Sequence, residues 1–421
     1  MFKKTILKNG LRILTVPIRN SRAVTVLVLV KTGSKYETKE INGISHFLEH
    51  LFFKGTKKRP NTLKIAETLD RVGGFYNAFT SKELTGYWAK VDYQHLDLAL
   101  DWVSDILLNS KFEKQEIGRE KRVITEEINM YLDMPMSYVN DLWEKLLYGD
   151  QPAGWMIAGE KENILAIKRG QILKYFNSHY LTSNTIVCVA GNIDSVAIEK
   201  KIKKYFKNIK EDVPGEKLKV IERQNHPKSL IHFKETDQTH LCLGVRGYNL
   251  FEPERYTQVV LATILGGNMS SRLFISVRER AGLCYYIRTS SDNTTDTGYL
   301  VTQSGIEHKN VEKAISLILK EYKSLKENKI NKYELQKAKD YLKGNLILSL
   351  ESSDSQASFY AAQELLENRI LTIKEKIKEI DKVTTGDVQK LAREIFQPGK
   401  LNLALIGPFK DKSRFRKLLK I

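Results

Sequence analysis

Runs of apolar residues predict several β-strands in the first half of the chain. Residues 23–31 are almost all β-branched or apolar, which is typical of a strand buried on both faces. Two shorter runs within 5–17 predict a pair of strands joined by a turn. Alternation of apolar and polar positions in 75–80 and 84–91 predicts two paired strands, and 185–190 predicts another buried strand.

Three segments repeat apolar residues at helical spacing, namely 62–72, 95–108 and 112–131. The third carries an apolar stripe of isoleucines at positions 117, 124 and 128. At about 100° per residue, Glu120 and Glu127 lie along the edge of this stripe, whereas Glu126 faces solvent. The pattern therefore predicts that two carboxylates on this helix point towards the protein interior. The alternative is an ordinary helix with solvated glutamates.

The second half of the chain repeats the first. Residues 170–191 and 386–407 both read as helix, turn, strand and glycine, at a constant offset of about 216 positions. Residues 26–33 and 240–247 also correspond, and each is followed by a helix. The repeat predicts two copies of one α+β domain. We place the first domain at 1–210, a polar linker at 211–228 and the second domain at 229–421.

Composition restricts the class of protein. A chain of 421 residues is long enough for two domains, and it contains no run of about 18 apolar residues, so no membrane span is expected. The three cysteines, Cys188, Cys242 and Cys284, suggest no disulfide framework. The first residues lack the apolar core of a signal peptide, and we expect a cytoplasmic protein. The net charge of +18 is spread along the chain without a nucleic-acid motif, so no nucleic-acid partner is expected.

The candidate chemistry lies in residues 44–53, where two histidines stand four apart with a glutamate between them. On a helix, His46 and His50 lie on one face about one turn apart, with Glu49 beside them. Their neighbours are apolar, so these polar groups are expected to be buried, and a divalent metal would satisfy the imidazoles. The order H-x-x-E-H is the pattern of the inverzincins. The alternative is a pair of core histidines with an ion-paired glutamate.

Several motifs in the same order resemble the pitrilysin/insulinase family of zinc peptidases, in the short-chain branch that includes the mitochondrial processing peptidase. His46-x-x-Glu49-His50 is followed after 76 residues by Glu127, at the family's third zinc ligand. Residues 74–80 are similar to the family's substrate-binding edge strand, and 266–274 to a signature of its second domain. Arg278 and Tyr285 match an Arg/Tyr pair that contacts substrate. The long glycine-rich loop of the non-catalytic processing-peptidase subunit is absent, so the chain resembles a catalytic one.

The resemblance implies a fold of two homologous α/β-sandwich domains that face each other across a cleft, each with a mostly antiparallel sheet and helices packed on one face. It implies one zinc ion per chain, a general base, an acidic residue that supports the site, and substrate contacts from both halves. The residues are His46, His50 and Glu127 for the metal, Glu49 as base, Glu120 as support, Asn77 and Ala78 on the edge strand, and Arg278 and Tyr285 from the second half.

The function expected is that of a zinc endopeptidase acting on peptides or unfolded segments held in extended form within a closed chamber. Family members of this length pair two chains, so we expect a homodimer or a heterodimer with a homologous inactive chain. The alternative is a non-catalytic or processing-type subunit of such a heterodimer.

Overall fold

The computed structural model describes residues 2–411 and 413–421, which fold into two sheets surrounded by helices. The strands are β1 Lys3–Ile6, β2 Arg12–Pro17, β3 Ala23–Val30, β4 Phe75–Thr80, β5 Thr85–Asp92, β6 Thr185–Gly191, β7 Lys228–Phe233, β8 Thr239–Arg246, β9 Cys284–Asn293, β10 Gly298–Ile306 and β11 Asn402–Gly407. The α-helices are α1 Ile44–Leu51, α2 Thr62–Asp70, α3 Leu96–Asn109, α4 Lys114–Leu132, α5 Pro135–Tyr148, α6 Lys161–Ala166, α7 Arg169–His179, α8 Ser195–Tyr205, α9 Arg255–Gly266, α10 Val311–Glu327, α11 Lys332–Ser349, α12 Ser353–Glu367, α13 Ile373–Lys382, α14 Thr385–Ile395 and α15 Ser413–Arg416. A π-helical segment spans Phe274–Arg280.

The two sheets share one topology, which confirms the predicted α+β fold with a repeated domain. The first has the strand order β1-β2-β6-β3-β5-β4, and the second has β7-β11-β8-β10-β9. Without β1, both run first, fifth, second, fourth and third in chain order. In each sheet the first and fifth strands pair in parallel, and the remaining pairs are antiparallel.

Helices cover both faces of the first sheet. Leu27 and Leu29 of β3 join an apolar cluster with α12, while the alternate residue Val28 pairs with Tyr87 of β5. The ring of Tyr87 meets Phe52, which directly follows α1, at a centroid distance of 4.9 Å. Because successive strand residues point to opposite faces, α12 and α1 lie on opposite faces of this sheet. The prediction placed helices on one face of the sheet only, whereas in the structure α12 also covers the second face.

The second sheet is covered in the same way. Leu243 and Leu403 pack with α10 and α14 on one face, whereas Cys242 and Ala404 pack with α5 on the other. Cys242, and Cys188 in the first sheet, are buried free thiols, as the sequence predicted. Sequence analysis had not assigned α5, whose Trp143 is almost fully buried.

The chain folds as two compact units, and each contains one segment from the range predicted for the other domain. The first unit comprises the chain through Asn129, Met156–Leu218 and Leu348–Leu371, so it includes α12. The second comprises Met130–Trp155, Lys219–Ile347 and the chain from Thr372 onward, so it includes α5. Within the predicted linker, 211–224 form neither helix nor strand. No helix in the described ranges has the length and apolar character needed to cross a bilayer.

Candidate metal centre and active site

The helix α1, only eight residues long, carries His46, Glu49 and His50. At the N-terminus of α1, the carboxylate of Glu37 accepts hydrogen bonds from the amides of Gly43 at 2.7 Å and Ser45 at 2.8 Å. This carboxylate is 3% exposed, and burial raises its pKa against the opposing effect of these amide bonds. A carboxylate at a helix N-terminus satisfies amide groups that have no partner within the helix. Glu37 therefore determines where α1 begins.

The three predicted metal ligands come together at one point of the first unit. His46 Nε2 and His50 Nε2 lie 3.3 Å apart, and the Glu127 oxygens lie 3.6 Å from His46 Nε2 and 3.3 Å from His50 Nε2. The edge of a tetrahedron with zinc-ligand bonds of 2.0–2.1 Å is about 3.3–3.4 Å. The donor atoms are thus spaced as three corners of a zinc tetrahedron, with the fourth corner free of these residues. Two imidazoles and a carboxylate are also ligands that zinc accepts.

The third of these residues reaches the site through the helical period of α4. Ile117, Ile124 and Ile128 are buried, as the apolar stripe predicted. Glu127 is half-buried and points to the two histidines, whereas its neighbour Glu126 is exposed. The structure therefore agrees with the sequence on which of the two adjacent glutamates faces inward.

Glu120 lies about two helical turns before Glu127 on α4 and contacts His50. Its Oε2 lies 3.1 Å from His50 Nδ1, and its Oε1 accepts a hydrogen bond from Lys54 Nζ at 2.8 Å. The side chain is 4% exposed. Burial raises the pKa of Glu120, but the bonds to His50 and Lys54 outweigh it and leave this pKa lowered. Lys54, which sequence analysis did not single out, thus stabilises the charged form of Glu120.

The two carboxylates also set the charge of the imidazole between them. Burial lowers the pKa of His50, but hydrogen bonds to Glu120 and Glu127 outweigh it and raise this pKa to about 9. Bonds to His46 and His50 hold the pKa of Glu127 well below its ordinary value. The two carboxylates thus favour positive charge at His50, carried either by a proton on the imidazole or by a metal ion bound to it.

The two histidines are held differently. Glu120 contacts Nδ1 of His50, whereas Nδ1 of His46 is buried without a hydrogen-bond partner in the described part of the chain. The two rings meet edge to face, with centroids 4.6 Å apart. His46 is therefore oriented by packing, and it presents Nε2 to the other donors.

Glu49 lies beside the metal ligands and does not belong to the set of three donor groups. Its Oε2 accepts a hydrogen bond from Thr80 Oγ1 at 2.5 Å. Sequence analysis placed Thr80 in the predicted edge strand but did not predict its contact with Glu49. The arrangement leaves Glu49 available for proton transfer next to the metal position.

The strand with Asn77 and Ala78 is β4, at the end of the first sheet. It pairs with β5 on one side, and no other strand of the described chain pairs with its second edge. The amide of Ala78 donates to Asn77 Oδ1 at 2.9 Å, so an added strand would compete for this group. An edge of this kind can accept an extended peptide.

Arg278 and Tyr285 lie next to each other in the second unit. The Arg278 guanidinium lies 4.5 Å from the ring centroid of Phe274 and 5.6 Å from that of Tyr285. Tyr285 is 78% exposed on β9, which lies at one edge of the second sheet. Tyr285 is therefore a surface residue and does not belong to the hydrophobic core.

Comparison with known proteins agrees with this description. Residues 12–161 match the family described as "Insulinase (Peptidase family M16)", and 166–342 match "Peptidase M16 inactive domain". The chain is 39% identical to the uncharacterized zinc protease YmxG of Bacillus subtilis, over 97% of this chain and 98% of that protein. It is 32% identical to an uncharacterized zinc protease of Streptomyces coelicolor, over 98% of this chain and 91% of that protein.

Solved structures share the fold. A protease from Helicobacter pylori aligns with a TM-score of 0.90 at 24% identity, covering 97% of this chain and 100% of that one. A chain of complex III2 from Candida albicans aligns with a TM-score of 0.85 at 20% identity, covering 100% of both chains. The same fold thus occurs in a protease and in a chain of complex III2, so the fold alone does not define the function.

Proposed function

The chain belongs to peptidase family M16, the insulinase family, and on this premise we propose that it is a zinc-dependent endopeptidase acting on extended peptide segments. The observation that carries the proposal is the spacing of 3.3–3.6 Å among the donor atoms of His46, His50 and Glu127, with Glu49 beside them and outside the donor set. A non-catalytic subunit would have no need for this arrangement.

Each residue has a role in the proposed reaction. His46, His50 and Glu127 would hold the ion, and Glu120 would orient His50 through Nδ1. When bound, zinc supplies a Lewis acid for the scissile carbonyl and lowers the pKa of a water molecule to about 7. Glu49 would accept the proton of the attacking water and pass it to the leaving amine, which completes hydrolysis of the peptide bond.

The substrate is proposed to bind as an added strand. An extended segment would pair with the free edge of β4 near Asn77 and Ala78, so main-chain hydrogen bonds would give affinity with broad sequence tolerance. Arg278 and Tyr285 are proposed to contact the same peptide, an assignment that rests on the family resemblance. We further propose that the peptide is enclosed in a chamber and that the chain pairs with an identical or homologous chain. The proposed location is the cytoplasm.

The test uses the purified full chain, elemental analysis and a quenched fluorescent peptide. We expect bound zinc, hydrolysis that a chelator abolishes, and its return when zinc is added back. Glu49→Gln should keep zinc and lose turnover by about 100-fold or more, because removal of a general base costs this much. Glu67→Gln, which changes a surface carboxylate of α2, is the matched control. Loss of zinc in Glu49→Gln, or unchanged turnover, would contradict the assigned role.

A further inference from the structure

The hydrogen bond between Thr80 and Glu49 joins the edge strand to the proposed base. At 2.5 Å between oxygens it is at the short end of the range for a hydroxyl that donates to a carboxylate. Both residues are half-buried, so water screens this bond less than it would at the surface. Such a bond is strong enough to select one orientation of a flexible side chain.

The bond uses only one oxygen of Glu49. Oε2 accepts from Thr80, and Oε1 has no hydrogen bond from any residue within 2–411 or 413–421. A glutamate side chain that is free to rotate would spend much of its time pointing elsewhere, and holding it in place costs conformational entropy. Thr80 therefore leaves one carboxylate oxygen free to take a proton while it restricts where that oxygen lies.

The position of Thr80 links the base to the strand expected to bind the peptide. Thr80 is the last residue of β4 and lies directly opposite Thr85 of β5. The following turn is tied to the loop before α1, since Lys35 N donates to Lys82 O at 2.9 Å. The backbone around Thr80 would thus position a peptide on β4, and the hydroxyl of the same residue positions the carboxylate of Glu49.

We propose that Thr80 is a positioning residue that aims the carboxylate of Glu49 and holds it in register with a peptide on β4. This inference rests on the proposed function, in which Glu49 is the general base. It adds a residue whose hydroxyl acts through Glu49 and is not one of the metal-binding groups.

The test compares Thr80→Val, Thr80→Ser and Thr85→Val in the full, zinc-loaded chain. Thr80→Val keeps the β-branched shape and removes the donor, so kcat should fall by about 10- to 100-fold, the equivalent of a hydrogen bond to a charged group, with KM little changed. Thr80→Ser keeps the hydroxyl and should restore most of kcat. Zinc content should be equal in all three variants.

Thr85→Val is the matched control for lost stability. The Thr85 hydroxyl donates to Thr32 O at 3.0 Å and does not contact Glu49. This variant should therefore lower the melting temperature without lowering kcat. Full kcat in Thr80→Val would overturn the inference, as would a fall in kcat accompanied by loss of zinc.

A second measurement separates this inference from the proposed function. If the wild-type chain hydrolyses no peptide, the proposed function fails, and crystal structures of the zinc-loaded proteins then decide the geometry. Glu49 should have one orientation in the wild type and in Thr80→Ser, and a different or divided orientation in Thr80→Val. An unchanged Glu49 in Thr80→Val would overturn the positioning role.

Discussion

Replacing Glu120 by glutamine tests how the carboxylate behind His50 contributes to metal binding. The substitution keeps the size of the side chain and removes its charge. In the wild type, one oxygen lies 3.1 Å from His50 Nδ1 and the other 2.8 Å from Lys54 Nζ. A glutamine has a single oxygen, so only one of these two contacts can be kept.

Either orientation of the new amide weakens zinc binding. If its oxygen faces His50, its NH₂ group points at the ammonium of Lys54, and both are donors. If its NH₂ group faces Nδ1, that nitrogen must accept, and the imidazole proton moves to Nε2, the atom that faces Glu127. Loss of a partner behind a metal-binding histidine typically lowers affinity 10- to 100-fold, or about 1.4–2.8 kcal/mol. The buried position of Glu120 leads us to expect the upper part of this range.

The assay is competition for zinc against a chelator of known affinity, with Glu126→Gln as the control on the same helix. Glu126 is exposed, so its loss of charge should leave the zinc affinity unchanged within error. Lys54→Met should give a smaller loss than Glu120→Gln, because it removes a partner of Glu120 and keeps the contact to His50. Wild-type affinity in Glu120→Gln would refute the reasoning.

Three further predictions use the same preparations. Glu127→Gln should weaken zinc binding more than Glu120→Gln does, because it removes a ligand, whereas equal losses in Glu127→Gln and Glu126→Gln would mean that the site is not built as described. Tyr285→Phe should lower kcat/KM with zinc content and melting temperature unchanged, since this exposed hydroxyl stabilises no core, and full turnover would remove it from the substrate site. The pKa of His50 is raised from 6.5 to about 9, so its stabilisation of the metal-free fold is complete below pH 6.5 and is lost as pH rises to about 9. Thermal unfolding in chelator should show this loss, and zinc affinity should rise over the same interval as the metal displaces the proton.

Much of the framework could be predicted because it depends on local periodicity. The isoleucine stripe of α4 orients Glu127 inward and Glu126 outward within a single helix, and the structure shows this arrangement. The strand predicted at 23–31 is observed as β3, Ala23–Val30, and it is buried on both faces. The repeat at an offset of about 216 corresponds to β6 and β11, which occupy equivalent places in their sheets. For the helix stripe and the buried strand, neighbours in sequence are sufficient to determine the result, whereas the repeat is recognised by comparing two distant segments.

The exchanged helices could not be predicted in this way. The sequences of α5 and α12 do not show which sheet each will cover, because apolar periodicity indicates a buried face without naming its partner. The structure places α5 against Cys242 and Ala404, and α12 against Leu27 and Leu29. A fragment ending at residue 210 would lack α12, so one face of the first sheet would be uncovered.

Sequence analysis did not single out Glu37, Lys54 or Thr80, and it did not identify His50 as the partner of Glu120. An eight-residue helix has little stability of its own, so the orientation of α1 is set by its surroundings. The spacing of His46 and His50 puts two nitrogens on one face, but it does not direct that face towards anything. The direction comes from residues distant in sequence, since Thr80 is 31 positions from Glu49, and Glu120 is 70 positions from His50. A motif of five residues can therefore indicate which chemistry is available, while partners supplied by other elements decide whether its donors are held closely enough to carry it out.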